Sequence, residues 1–296
     1  MKTKQISSVL TVLIAILSGI AAFEGIHPGE DSGISVIRSV RGQDILLYGK
    51  GLYRHMSADV AIQGIAQDYV TLFIGIPLLL LSLWLYRRGH LKGQILLTGI
   101  TSYFMVTYVF YLCMAMYNEL FLMYVLLAGI SFYSFLLLMI DLAGKVSAAQ
   151  FSGRFFRKLS GWFLMVNALL IASLWLKVVL LPLVDGMLYP AAVQHYTTLI
   201  VQGLDLAILL PGSAISGILL LKNKKTGYLY APIYLVFLCL MMTALLAKII
   251  GMSLHGVPAG PAIVIIPLIT LFTVGLTFSL LRSTTDSMKT SSIQNQ

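Results

Sequence analysis

Apolar residues run along this chain in long blocks broken by short polar links, and that rhythm sets the fold. The blocks fall at 67–86, 94–116, 120–142, 160–183, 197–221, 227–252 and 262–281, with an earlier one inside 1–25. Each can cross a hydrocarbon layer of ~30 Å, which takes ~20 helical residues. The pattern predicts an all-α polytopic membrane bundle with eight transmembrane helices, or seven if the first is a cleaved signal. MKTK followed by VLTVLIAILSGIAAF favours a retained helix over cleavage near Ala21 or Ala22, because the apolar run is long for a signal.

The polar remainder divides the chain into a first helix or signal anchor (1–25), an outer loop (24–66), a seven-helix core (67–282) and a tail (283–296) expected to be disordered. Within the outer loop, DILLYGKGLY alternates weakly and predicts a short hairpin turning at Gly49-Lys50-Gly51. Ser57 is placed to cap a helix that begins before the membrane and continues into the second span.

Composition agrees with a bilayer as solvent. Hydrophobic residues make up 58% of the 296, charged residues only 10%, and mean hydropathy is +0.91, whereas soluble domains carry about 25% charge. The net charge of +9 does not point to nucleic acid, because the basic residues sit in short clusters between apolar runs. Fourteen of the twenty Lys and Arg fall on one set of connections, while Arg38, Arg41, Lys50 and Arg54 fall on the other. Basic residues collect on the cytoplasmic side, so both termini are expected inside. The two cysteines, Cys113 and Cys239, exclude a disulfide framework, a CxxC pair and a cysteine-rich zinc site.

Spans two and six share a layout that admits a 4+4 parallel repeat. Asp68 is followed by Gly75, Arg87 and Arg88 at the offsets at which Asp205 is followed by Gly212, Lys224 and Lys225. In that register Pro77 and Pro211 do not correspond. At 100° per residue Gly64, Asp68, Thr71, Gly75 and Ser82 form one stripe, and Gln202, Asp205, Gly212, Ser213 and Ser216 another. Small and polar stripes let helices approach closely in lipid, so both should face inward. Either proline is also expected to kink its helix.

The stretches QGIAQDYVTLFIGIPLLLLSLWLYRRG, YNELFLMYV and GLDLAILLPGSAISGILLLKNKKTGYLYAP resemble a group of uncharacterised bacterial multi-pass membrane proteins. That resemblance implies residence in a bacterial cytoplasmic membrane, and no activity, cofactor or site residue.

An ionisable group inside a span is a functional candidate by default. Depth matching predicts Lys177 paired with Asp205 and Lys248 with Asp68, towards the outer face. Gln202, Asn118, Glu119, Tyr108, Tyr111 and Tyr124 lie in the same half, and Tyr103, Thr107 and Tyr111 give span three one polar-aromatic face. The inner half reads as mostly plain Leu, Ile, Val and Phe. His55, His195 and His255 are weak metal candidates without ligand spacing, so no metal or other cofactor is expected. GxSxG, P-loop and dinucleotide motifs are absent from the sequence.

The leading expectation is therefore binding or transport of a small polar or cationic solute in an outward-facing pocket, with proton coupling as an option. A sensor or scaffold acting through the outer loop is the second. An intramembrane enzyme acting on lipid is the third.

Overall fold

The computed structural model describes residues 3–257, 260 and 262–285. Eight helical segments are long and apolar enough to cross a membrane. They are α1 (Thr3–Ile26), α2 with α3 (Ala58–Val70, Ile76–Arg87), α4 (Leu91–Met114), α5 (Phe121–Ala143), α6 (Arg154–Val184), α7 with α8 (Ile200–Leu204, Leu210–Leu221), α9 (Lys225–Leu254) and α10 (Ala262–Arg282). A two-stranded antiparallel hairpin, β1 (Ser35–Arg38) with β2 (Asp44–Leu47), lies between α1 and α2 and marks one end of the bundle. The opposite end carries Lys4, Arg87, Lys145 and Lys222, and is called the basic end.

DILL forms a strand as expected and its ladder partner is 35–38, while beyond Gly49-Lys50-Gly51 the returning chain adds an antiparallel bridge from Leu47 to Ser57 and a hydrogen bond from Tyr48 N–H to Met56 O. The tight turn lies at Arg41-Gly42, where Gly42 takes φ +80°, a region open to glycine. Gly49 and Gly51 also have positive φ, and instead steer the chain into the short helical turn that carries Tyr53. The helix after Ser57 begins at Ala58, as its position predicted, although the Ser57 hydroxyl lies 3.4 Å from Tyr196 Oη and caps nothing.

Helices α1 to α5 close into one four-span ring in which each span packs on the next and α5 returns to α1. Helices α6 to α10 close in the same cyclic order, and α9 joins the rings by packing against α2 and α4. The repeat is therefore present, but its register differs from the one read in the sequence. Pro77 and Pro211, 134 residues apart, each follow a π-helical turn, Thr71–Gly75 in one half and Asp205–Leu209 in the other. In each turn the bond runs five residues back, from Ile76 N–H to Thr71 O and from Leu210 N–H to Asp205 O. Proline has no N–H to continue the ordinary ladder, and the wider turn accommodates the break.

The same interval relates the hairpins that follow. His90 N–H donates to Leu85 O at 3.2 Å, as Lys224 N–H does to Leu219 O at 3.0 Å. Gly89 and Asn223 both take positive φ. A Cβ on Gly93 would meet the backbone of Leu85 and Tyr86, and one on Gly227 that of Leu219 and Leu220. In this register Asp68 is equivalent to Gln202 and Asp205 to Thr71, so the two aspartates are not a repeated pair. The apparent match at Asp68 and Asp205 arose because any two spans entering the same way end in basic residues.

The expected disordered tail is corrected in part. Thr284 bridges Phe151, and Thr285 N–H donates to Gln150 O at 2.8 Å; the rest of that call, 286–296, lies outside the described residues.

Candidate functional site

Asp68 is buried, at 1% exposure, where α2 meets α1, α4 and the hairpin loop. Both carboxylate oxygens are occupied: Tyr53 Oη donates to Oδ2 at 2.5 Å and Tyr111 Oη to Oδ1 at 2.9 Å. Gly25 of α1 lies against the same carboxylate, and a methyl group there would stand 2.8 Å from Asp68 Cγ and 2.9 Å from Tyr53 Oη. Burial, reinforced by the Asp68 carboxylate, holds the Tyr53 hydroxyl well above the ordinary tyrosine value, so it remains a donor.

Tyr108, Tyr111, Tyr124 and Tyr53 form a continuous aromatic cluster around this point. Edge contacts join Tyr53 to Tyr111 at 6.3 Å and Tyr111 to Tyr124 at 5.4 Å, and Tyr108 stacks on Tyr124 at 6.1 Å. The hydroxyls of Tyr108 and Tyr124 and the amide nitrogen of Asn118 are buried and close no hydrogen bond of good geometry, with Ser18 beside Tyr108 and Asn118 beside Tyr124. Beside Asp68 on α2, Gln67 Nε2 donates to Tyr103 Oη at 2.8 Å and to Thr107 Oγ1 at 3.2 Å. The polar-aromatic face expected for Tyr103, Thr107 and Tyr111 is therefore formed.

Lys248 on α9 lies within electrostatic range of Asp68 and Asp205, and among the described residues it closes an ion pair with neither. It stands one turn before Gly251, where α9 lies against Ile62 and Ala66 of α2. The expected Lys248–Asp68 contact is thus a shared electrostatic one. The expected Lys177–Asp205 pair is overturned, because Lys177 is exposed on the outside of α6. Two residues away, Trp175 Nε1 donates to Asp205 Oδ2 at 2.7 Å and takes its place. On a helix, positions 175 and 177 point about 200° apart, so only one of them can face α7. Gln202 and Asp205 are half-buried, while Ser213 and Ser216 of the same stripe are buried.

The remaining candidates belong to the loops. Glu119 pairs with Arg54 at 2.5 Å, fastening the hairpin loop to the α4–α5 link, and Arg54 holds its carboxyl below the ordinary value. His195 Nε2 lies 3.1 Å from His55 O, and His255 Nδ1 lies 2.8 Å from Gly251 O at the end of α9. Among the described residues no three His, Cys, Asp or Glu side chains gather as a metal site.

One polar cluster escaped the sequence reading. At the basic end Lys145 Nζ reaches Asp141 Oδ2 at 2.5 Å and Gln94 Oε1 at 3.0 Å, and Gln94 Nε2 donates to Asp141 Oδ2 at 2.8 Å. The Asp141, Lys145 spacing of one helical turn was the available signal.

Fold and site together define a polytopic integral membrane protein with a buried carboxylate–tyrosine cluster near one end of its helices. No family model, curated protein or solved structure matches the chain.

Proposed function

We propose that this protein binds and translocates a small organic cation at the hairpin end, between Asp68, Asp205 and Lys248. The observation that carries this reading is that Lys248 lies within electrostatic range of two carboxylates and, among the described residues, pairs with neither. One ammonium against two carboxylates leaves a negative charge for a bound cation or a proton to balance. The neighbouring tyrosine rings favour a cation with apolar substituents, since ring faces attract positive charge. The basic end is the cytoplasmic one and the membrane is that of a bacterial cell; the clustering of Lys and Arg supports this orientation.

Tetramethylammonium is a suitable probe. It should raise the thermal unfolding midpoint of the purified protein, and this rise should vanish in Asp205→Asn, which retains a hydrogen-bonding side chain for Trp175. An equal rise in Asp205→Asn, or none in the natural protein, would remove the reading.

A second reading is favoured by the hairpin itself. Ile34, Val36 and Val40 are 69%, 63% and 95% exposed on a hairpin fastened to the bundle by Arg41, whose guanidinium donates to Tyr196 O at 2.9 Å. An exposed apolar hairpin suits a protein partner, as the scaffold expectation requires. Replacing all three with Ser should release such a partner without altering the tetramethylammonium response.

A further inference from the structure

We propose that the ring formed by α1 to α5 encloses a hydrated hydrogen-bond file that carries protons between Asp68 and the Asp141–Gln94–Lys145 cluster. This extends the cation-binding reading, on which it rests only for the role of Asp68 as the file's upper end.

The two carboxylates sit at opposite ends of α4. Asp68 is held by Tyr111 and Asp141 by Gln94, 17 residues apart on that helix, or ~25 Å at 1.5 Å per residue. That distance nearly matches the ~30 Å hydrocarbon layer. Between them lie side chains whose hydroxyls are buried and unpartnered: Ser131 and Ser134 on α5, Thr101 on α4 and Ser7 on α1, all 0% exposed.

A helical Ser or Thr can always turn its hydroxyl to the carbonyl one turn back. Thr11, Thr98 and Ser102 do so, at 2.7 Å each. The four named hydroxyls are rotated away from that acceptor. Ser131 and Ser134 share a buried stripe with Tyr124 and Leu138, on the helix that packs against α1 and α4, so they face the ring interior. In the second ring, by contrast, Ser213, Ser216, Thr270, Thr273 and Thr277 are all bonded, and Ser160 is the one buried hydroxyl without a partner among its described residues.

Buried hydroxyls without protein partners are groups that buried water satisfies, since each water makes about three hydrogen bonds. At the basic end, beside the Asp141–Gln94–Lys145 cluster, lies a cavity of ≈ 50 Å³ lined by Lys4, Tyr86, Gln94 and Lys145. At the other end Tyr111 and Tyr53 hand hydrogen bonds to Asp68. A proton entering at one carboxylate displaces one along the chain of hydroxyls and waters, so none accumulates and no other bond changes.

The test uses the full chain with Cys113 and Cys239 replaced by Ala, in lipid vesicles. Ser131→Cys and Ser134→Cys are each exposed to 2-aminoethyl methanethiosulfonate, which attacks the thiolate and so reports hydration. Both should react at least about tenfold faster than Ile140→Cys on the lipid-facing side of the same helix. Rates equal to that of Ile140→Cys would overturn the file, whatever tetramethylammonium does. Proton uptake driven by a valinomycin potassium potential gives the second readout. It should fall in Asp68→Asn and Ser131→Ala and persist in Ser131→Thr and in Lys177→Gln, a change on the exposed side of α6. Reactive cysteines without proton uptake would overturn proton carriage. Reactive cysteines and proton uptake, in a protein that ignores tetramethylammonium, would uphold the file and remove only the solute reading.

Discussion

Gly25 and Asp68 touch across the α1–α2 interface, with the glycine Cα resting on the carboxylate that Tyr53 and Tyr111 hold from the other sides. No side chain fits at position 25 without moving Asp68 or Tyr53. Gly25→Ala should therefore destabilise the bundle by about 1–3 kcal/mol, the usual penalty for overpacking a filled core. Gly203→Ala, in a helix where nothing lies within 4 Å of a new Cβ, should leave stability close to unchanged. Thermal unfolding in detergent compares the two.

Removing one hydroxyl from Asp68 leaves a buried oxygen without its donor. Tyr53→Phe and Tyr111→Phe keep the rings, so each should cost about 1–3 kcal/mol through the unsatisfied carboxylate. Tyr117→Phe, on a residue 80% exposed, should cost nothing measurable in the same unfolding assay.

The two intramembrane lysines should behave differently. Lys177 is exposed on α6, and Lys177→Gln should express and fold as the natural protein does. Lys248 is the ammonium within electrostatic range of both the buried Asp68 and the half-buried Asp205, and Lys248→Met should lower the yield of monodisperse protein. Adding Asp205→Asn to Lys248→Met should recover part of that yield by removing one of the uncompensated charges. Size-exclusion profiles of the three variants read this directly.

Acid should loosen the hairpin loop. Arg54 holds the Glu119 carboxyl below its ordinary 4.5, so the pair stabilises the folded loop above that pH and is lost as pH falls through the lowered value. Glu119 is 60% exposed, which limits the effect to about 0.2–1 kcal/mol. Hydrogen exchange at 50–56 should therefore rise modestly as pH falls below 4.5, and Glu119→Gln should show the same rise at neutral pH.

Most of the architecture was legible because apolar length alone decides what can span a bilayer. The eight spans, the inward stripe of α2 and the polar-aromatic face of α4 follow from length and helical period. The register of the repeat was not legible. Asp68 and Asp205 caught the eye as charges, whereas the positions that repeat are the backbone events at Pro77 and Pro211 and the close glycines Gly93 and Gly227. Pairing by depth failed for Lys177 because depth says nothing of azimuth. The basic half of the first ring read as plain hydrocarbon because Ser7, Thr101, Ser131 and Ser134 are single small residues among Leu and Ile. What marks them is which way each hydroxyl turns, and that depends on neighbouring helices.

The central claim is that Asp68 and Asp205 act together on one cation held near Lys248. Equilibrium binding of radiolabelled tetramethylammonium to the purified protein tests it most directly. One saturable site per chain, lost in both Asp68→Asn and Asp205→Asn and retained in Lys177→Gln, is the predicted result. Saturable binding that survives both aspartate substitutions, or no saturable binding to the natural protein, would contradict it.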